Sequence, residues 1–352
     1  MSDEAKTMSG KPIRLGIIGF GNIGRAAVRL LAQKQTRWRE TEGLDLKLTC
    51  VLDQNGGLVN LDGLNCETLA AQGKASFDSF PGFDAELSFK KIIDERLVDV
   101  IAEFTPTDKD TGEPGLTHIR GALEHGIHVT TSNKGPILVA WDELSQLSRE
   151  RKLLLGVSCT TGGALPTVIA GRDAMAGADV SIIEGVLNGT TNYILNRMEN
   201  GMFYEEALKE AQSAGIAEPN PSMDVDGWDT AVKLLILGKV VMGSKIGLKD
   251  LTVKGISGLT VNEVKTEQAA GRRIKLVGRI RRENNETLAS VAPESVDASH
   301  PFYFVSAKDK CVRYVSDTLG DLFVSGGASG PIPAAAAALR DVLLAWRSGL
   351  LR

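Results

Sequence analysis

The chain has 352 residues, of which 43% are hydrophobic and 24% are charged, and its formal net charge is −4. These values are typical of a globular protein and leave room for two domains. The acidic balance argues against a nucleic-acid-binding protein, which usually carries a basic surface. No apolar run reaches the length of a membrane span, and the polar start lacks a hydrophobic signal core, so we expect a cytoplasmic location without membrane contact. The four scattered cysteines predict reduced thiols rather than disulfides or a zinc site.

The first half of the chain alternates short apolar runs with amphipathic segments, after a tail at 1–11 that we expect to be disordered. Strands are predicted at 13–18, 46–53, 98–104, 127–133 and 153–158. Helices are predicted at 26–34, 66–72, 117–126 and 140–152. We expect a polar connection at 35–45 and a largely irregular segment at 54–83. Strands and helices in alternation indicate a parallel sheet with right-handed crossovers.

The pattern changes after residue 160. We expect a helix that follows the glycines at 162–163, a strand at 180–189, and helices at 189–200, 204–214 and 228–242. Short β-like runs predominate from about 255 to 325, including HPFYFVS at 300–306, and a last helix is predicted at 333–346. This order is typical of a second, mixed α+β domain with an antiparallel sheet.

The motif GFGNIG lies between the first predicted strand and the first predicted helix, which is the context that gives it meaning. Gly19 permits the tight turn, Gly21 lets a pyrophosphate approach the backbone, and Gly24 lets the helix pack closely on the sheet. The N–H groups of the helix start, at Asn22 and Ile23, would face the phosphates. The motif therefore predicts a dinucleotide site, with a purely structural glycine turn as the alternative.

Four further positions are candidates for contacts with the cofactor. Asp53 ends the second predicted strand, where a carboxylate can bind a ribose 2′-hydroxyl and would repel a 2′-phosphate, so NAD is favoured over NADP. Thr105 and Lys134 follow predicted strands, at the edge of the sheet where doubly wound folds bind ligands, although a solvated loop lysine is the alternative for Lys134. The glycine-rich turn that includes Gly330 either brings backbone to the cofactor or is only a flexible connection.

The segment GIAEPNPSMDVDGWDTAVKLLILG, which begins at Gly215, concentrates charge beside a very apolar helix. Its candidate functional side chains are Glu218, Asp224, Asp229 and Lys233. The helix at 228–242 is apolar nearly all round and should be buried. A buried lysine needs a partner, and Asp229 lies one helical turn before Lys233 on the same face. The pair indicates a polar cleft, with a solvated surface pair as the alternative.

Two further motifs lie in the second half of the chain. The glycine-rich sequence SCTTGGALP at 158–166 could offer backbone carbonyls to a hard cation or simply begin a helix. In NGTTNYI, Asn188 or Thr190 is expected to cap the helix that follows.

Four motifs together resemble those of homoserine dehydrogenases, over residues 13–346. They are GFGNIG, TSNK, GVLNGTTNYILNRM and AGIAEPNPSMDVDGWDTAVKL. The resemblance implies an α/β chain with a Rossmann-like NAD(P)-binding domain at 12–157, to which a helix at 331–350 returns, and a mixed α+β catalytic and dimerisation domain at 158–330. It also implies a homodimer or dimer-based homo-oligomer that interconverts L-aspartate 4-semialdehyde and L-homoserine, for threonine and methionine synthesis. No regulatory ACT domain is expected.

The resemblance further implies roles for single residues. Lys233 matches the proton donor, and Lys134 matches a second lysine near cofactor and substrate. Glu218 and Asp229 match substrate-binding carboxylates, Asp224 matches a supporting one, and Gly215 matches a cofactor contact.

A sodium ion is held in some members of the family by backbone carbonyls that match Thr161, Gly163 and Leu165. Those members carry a glutamate where this chain has Ser158. Two other functions stay open: a dehydrogenase of the same fold that acts on another amino-acid semialdehyde or hydroxy acid, and a non-catalytic NAD-binding protein.

Overall fold

The computed structural model describes residues 11–72, 77–284 and 286–351, so the predicted tail lies almost wholly outside the described residues. The chain divides into two compact units, one of residues 1–159 with 330–352 and one of residues 160–329. Among the helices of the described residues, none combines the length and the apolar character needed to cross a membrane. Each unit contains a six-stranded sheet together with helices, which agrees with the predicted α/β class.

The first unit is an α/β sandwich around one largely parallel sheet. Its strands are β1 (Ile13–Ile18), β2 (Leu46–Asp53), β3 (Gly56–Val59), β4 (Val100–Glu103), β5 (His128–Thr131) and β6 (Leu155–Gly156). Its helices are α1 (Asn22–Glu42), α2 (Cys66–Ala71), α3 (Phe89–Asp94), α4 (Gly115–Glu124) and α5 (Lys134–Arg151), with α6 (Cys159–Gly162) at the unit boundary and α13 (Pro331–Arg347) near the end of the chain.

The strand order of this sheet is β3-β2-β1-β4-β5-β6. All neighbours pair in parallel except β3, which runs antiparallel to β2 at the edge. The order reverses between β1 and β4, and ligands of doubly wound sheets bind beyond the carboxyl ends of the strands at such a point. Helix α1 packs against α13 and α2, while α4 packs against α5.

Two predictions in this unit are wrong. Residues 35–42 extend α1 because QTRWRETE holds good helix formers and no glycine or proline, and the helix ends only at Gly43, where φ is 65°. The segment predicted to be irregular forms β3, which a tight turn after Asp53 folds back onto β2. The helix predicted at 140–152 is present as the second part of α5, after a kink at Ala140, where φ is −135° and ψ is 23°. A first part at 134–139 was not predicted, and the Asn133 side chain caps it by accepting the N–H of Gly135.

The second unit packs helices on a mainly antiparallel sheet of order β12-β11-β7-β9-β10-β8. Its strands are β7 (Val180–Val186), β8 (Thr252–Val253), β9 (Arg273–Glu283), β10 (Glu286–Val296), β11 (Lys310–Ser316) and β12 (Asp321–Gly326). Its helices are α7 (Thr167–Ile169), α8 (Gly189–Glu199), α9 (Tyr204–Ser213), α10 (Ser222–Val225), α11 (Trp228–Met242) and α12 (Val261–Ala269). Only β8 pairs in parallel, with β10.

Helix α11 is the central helix of this unit. It packs on β7 and β9, and nine of its residues are buried, as its apolar sequence predicts. The run at 300–306 forms a short 3-10 helix, Pro301–Phe304, and not the β-like segment that was predicted. Proline has no N–H for a sheet ladder and suits the first position of a helical turn.

Candidate active site

The glycine motif of the first unit leaves no room for side chains on its inner side. A Cβ at Gly19, where φ is +95°, would lie 2.7 Å from the carbonyl carbon of Phe104. A Cβ at Gly24 would lie 2.3 Å from the Gly19 oxygen. At Gly21, the N-cap of α1, no atom of the described residues lies within 4 Å of a Cβ position. The open helix N-terminus therefore suits the pyrophosphate of a dinucleotide.

A buried carboxylate, Glu103, organises the loop beside this turn. It ends β4, is fully buried, and accepts hydrogen bonds from the Thr105 amide at 3.1 Å and from the Thr105 hydroxyl. The Thr131 hydroxyl lies 3.1 Å from its second oxygen. The Asn133 amide donates to the Pro106 carbonyl at 3.2 Å, which ties the loop to the start of α5. Sequence reasoning named Thr105 but missed Glu103, whose signal was a carboxylate that closes an apolar strand.

The other predicted cofactor residues of this unit lie at the ends of strands and helices. Asp53 ends β2, is half-buried, and accepts the N–H of Gln54 at 3.0 Å. Burial lowers the pKa of Arg25, which lies over the Phe20 ring, and the negative charge of Asp53 partly opposes that shift. Lys134 is the half-buried first residue of α5. Gly330 precedes α13 with a φ of 116°, a value that favours glycine.

In the second unit, one asparagine bridges two of the predicted carboxylates. The Asn188 side-chain amide donates to Asp224 Oδ1 at 2.6 Å and to Asp229 Oδ2 at 2.9 Å. Its oxygen accepts the Thr191 N–H at 2.9 Å and thereby caps α8, as predicted. The bridging role was missed, because Asn188 lies 36 and 41 residues before the two carboxylates in the sequence.

The predicted lysine and aspartate of α11 form an ion pair. Lys233 Nζ lies 2.5 Å from Asp229 Oδ2, and both side chains are mostly buried, at 15% and 13% exposure. The ammonium also donates to the Leu187 carbonyl at 2.9 Å. These contacts argue against the alternative of a solvated surface pair.

Burial and the nearby negative charge of Asp229 raise the pKa of Asp224, and hydrogen bonds from Asn188 and Thr190 oppose that shift. A raised pKa means that the ionised form of the Asp224 carboxyl group is less stable here than in water. The cluster of two carboxylates and one ammonium has a formal charge of −1, so it would accept a further cation.

Two other predicted residues of this unit, Glu218 and Gly215, lie at the surface. Glu218 is exposed, and within the described part of the chain its carboxylate has no hydrogen-bond or ion-pair partner, while its backbone carbonyl accepts from Gln212 at 3.2 Å. Gly215 is exposed with a φ of 66°. Glu218 therefore does not join the cluster of Asp224, Asp229 and Lys233.

Two backbone carbonyls of the turn predicted to hold sodium accept hydrogen bonds from other groups of the protein. The Leu165 carbonyl accepts the Thr167 N–H at 2.8 Å, and the Gly162 carbonyl accepts the ammonium of Lys310 at 2.9 Å. A free cation at this turn would be repelled by the ammonium of Lys310. With an ammonium in place, and with no carboxylate at Ser158, the residues present at Thr161 and Gly163 do not suit a sodium ion.

A further buried lysine, Lys275, was missed. It lies in β9 with no exposed surface, and its ammonium donates to Asn192 Oδ1 at 3.0 Å and to the Val305 carbonyl. Burial lowers its pKa to about 8. Its signal in sequence was one lysine within the apolar run RIKLVG, which alternation alone does not separate from a surface position.

The fold and these residues define a class of protein. A doubly wound domain with a phosphate-accepting glycine turn is typical of dinucleotide-dependent enzymes, and a lysine held among carboxylates is typical of acid–base chemistry. The chain thus has the parts of a two-domain NAD(P)-dependent oxidoreductase.

Comparison with known proteins gives the particular family. The chain belongs to the homoserine dehydrogenase family, whose model matches residues 166–343. It is 33% identical, over 94% of its length and 95% of the relative, to an NAD(+)-dependent homoserine dehydrogenase of Pseudomonas canavaninivorans. It is 34% identical to a homoserine dehydrogenase of Methanocaldococcus jannaschii, over 94% of this chain and 98% of that one. A crystal structure of a putative homoserine dehydrogenase from Archaeoglobus fulgidus superposes with a TM-score of 0.83 at 30% identity, covering 95% and 99% of the two chains.

Proposed function

We propose that the chain interconverts L-aspartate 4-semialdehyde and L-homoserine with NAD(P). Family membership supports the reaction, and the ion pair of Lys233 with Asp229 is the observation that carries it. An amino-acid aldehyde needs a cation beside its carbonyl oxygen and carboxylates beside its ammonium group. The second unit holds both kinds of group within one cluster.

Lys233 is the proposed proton donor. Reduction of the aldehyde places negative charge on its oxygen, and a nearby ammonium stabilises that charge and supplies the proton. Asp229 and the Leu187 carbonyl orient the ammonium, so its geometry is set before the substrate arrives. In the direction of homoserine oxidation the same amine would take up the proton of the hydroxyl group.

Asp229 and Asp224 are the proposed partners of the substrate ammonium. Hydrogen bonds between ionised groups are the stronger ones, and a cluster with a charge of −1 favours a cationic ligand. Asn188 fixes the positions of the two carboxylates, since its side-chain amide donates a hydrogen bond to each of them. Glu218 is an exposed carboxylate that could join them only through a contact with the substrate itself.

The glycine turn is the proposed site of the cofactor, whose nicotinamide would donate or accept the hydride when bound. The proposed contacts are Gly19, Gly21, Asn22, Ile23, Gly24, Asp53, Thr105, Lys134, Gly215 and Gly330. Asp53 would bind a ribose hydroxyl and repel a 2′-phosphate, so we favour NAD. The name of the Pseudomonas relative, which specifies NAD(+), agrees with this choice.

The assembly is proposed to be a homodimer, or a larger oligomer built from such dimers, that forms through the second unit. A cytoplasmic location stays a prediction. Size-exclusion chromatography with light scattering would test the dimer, and a monomer at micromolar concentration would contradict it.

Oxidation of homoserine, followed by NADH or NADPH absorbance, tests the function. We expect turnover with homoserine and reduction of aspartate semialdehyde, and weaker turnover with homologous semialdehydes that differ by one methylene. A larger kcat/KM for another semialdehyde would assign the enzyme to that substrate. No turnover with any of them, despite cofactor binding, would support the non-catalytic alternative.

A further inference from the structure

One buried ammonium group forms a hydrogen bond with the glycine-rich turn that follows residue 160. Lys310 begins β11, is 5% exposed, and donates to the Gly162 carbonyl at 2.9 Å. Gly162 is the last residue of α6. Helix ends leave carbonyls without partners and carry partial negative charge, so a cation is stabilised there.

Lys310 also lies beside a second glycine-rich segment, at residues 326–329, because its backbone pairs with Gly326 between β11 and β12. A Cβ placed on Gly163 would lie 3.8 Å from Lys310 Nζ and 3.7 Å from the Ala328 carbonyl oxygen. A Cβ on Gly327 would lie 2.5 Å from the Leu165 nitrogen, so these two stretches of backbone are in close contact. Lys310 therefore lies where 162–165 and 327–328 meet, within the second unit.

Hard cations take backbone carbonyls as ligands, and in this turn the Gly162 carbonyl accepts a hydrogen bond from an ammonium. In this chain the positive charge is part of a side chain, and the glutamate found in sodium-binding members of the family is replaced by Ser158. We propose that Lys310 supplies the charge that sodium supplies to this turn in those members, and that it holds the two glycine-rich segments in place without a metal ion. Lys310 is thus a positioning residue, and the enzyme is independent of sodium.

Thermal unfolding and activity of the unaltered protein give the first test. We expect the melting temperature and the rate of homoserine oxidation to be the same in NaCl, KCl and choline chloride at equal ionic strength, because the ammonium of Lys310 already supplies the positive charge at this turn. Several-fold activation by sodium or potassium over choline, or a higher melting temperature in either salt, would overturn the proposal. The melting arm needs no substrate, so it stands even if the proposed activity fails.

Replacement of the lysine gives the second test. Lys310→Met removes the charge and keeps most of the apolar stem, so we expect a lower melting temperature in choline chloride that NaCl or NH4Cl raises specifically. The rate should fall by about tenfold in choline and recover in the same salts, as for other hydrogen bonds to charged groups. Lys308→Met, which changes an exposed lysine two residues earlier, should behave like the unaltered protein in all salts.

The outcomes of the second test separate a cation site from a merely structural hydrogen bond. An equal loss of stability in all salts would show that no cation can replace the lysine, and would overturn the proposal. Failure of Lys310→Met to fold in any salt would count against it for the same reason, since free sodium should then substitute.

Discussion

The Lys233 ammonium and the Asp229 carboxylate lie 2.5 Å apart, one turn from each other on a helix whose other side chains are mostly buried and apolar. The ammonium is held from a second direction by the Leu187 carbonyl. Removal of one partner leaves the other charge uncompensated in a poorly solvated place, which destabilises the fold as well as the site. Measurements on this pair must therefore separate activity from stability.

Replacement of Lys233 by alanine should lower kcat by about 100-fold or more, which is the usual scale of general acid–base help. Binding of NADH should persist, because the glycine turn belongs to the other unit. Steady-state kinetics and fluorescence titration with NADH measure the two effects. Lys239→Ala, in the last turn of the same helix, is the matched control and should keep normal turnover. Near-normal kcat in Lys233→Ala would remove this residue from the proton-transfer role.

Replacement of Asn188 separates capping from the bridge between the carboxylates. Asn188→Ser keeps a side chain that can cap α8 but loses both amide donors to Asp224 and Asp229. We expect KM for homoserine to rise about tenfold or more, because hydrogen bonds to charged groups contribute about 1.5–3 kcal/mol.

Asn188→Ala should raise KM similarly and should also lower the free energy of unfolding by about 1 kcal/mol more, because the cap is lost. Urea unfolding checks the stability difference, and Asn200→Ser at the other end of α8 serves as the control. An unchanged KM in Asn188→Ser would show that the bridge does not position the carboxylates for substrate.

Sequence patterns predicted the regular elements where the local signal was strong. The bounds of β1, β2 and α11 agree with their predicted ranges, because a continuous apolar run marks an element that is buried along most of its length. Sequence reasoning failed where polar residues are helical, as in the second half of α1, and where a cap begins a helical stretch ahead of the predicted helix, as at Asn133.

The site divides in the same way. The ion pair of Asp229 with Lys233 followed from a spacing of four residues. The contact of Asn188 with Asp224 spans 36 residues, and that of Lys310 with Gly162 spans 148, so both depend on how distant elements pack. A single sequence carries no pattern for such contacts.

Asp53 should decide between the two nicotinamide cofactors. The unaltered enzyme should have the larger kcat/KM with NAD, and Asp53→Ala should lower the NAD-to-NADP ratio of kcat/KM by about tenfold or more, since like charges brought together cost several kcal/mol. Kinetics with both cofactors at equal ionic strength measure the ratio. Asp62→Ala, an exposed acid on the segment between β3 and α2, should leave it unchanged. A strong NADP preference of the unaltered enzyme would contradict this role.

Lys275 should make stability depend on pH in the alkaline range. Its pKa is lowered from 10.5 to about 8, first by burial and then by the positive charge of Arg273. Between these two values the unfolded chain binds one more proton than the folded chain, so the free energy of unfolding rises with pH, by about 1.4 kcal/mol per pH unit. Below pH 8 both states are protonated and this contribution is constant.

The difference in unfolding free energy between the unaltered protein and Lys275→Met isolates that contribution, because other groups titrate equally in both. Methionine fills the space but has no ammonium, so its stability should lack the added slope from pH 8 to 10.5. Urea unfolding at several pH values measures the difference, and Lys265→Met, at an exposed lysine of α12, should retain the slope. The complete burial of Lys275 in β9 makes its charged form costly in the folded state. A difference that is flat over this pH range would contradict the prediction, because it would show that Lys275 binds its proton as tightly in the folded state as in the unfolded chain.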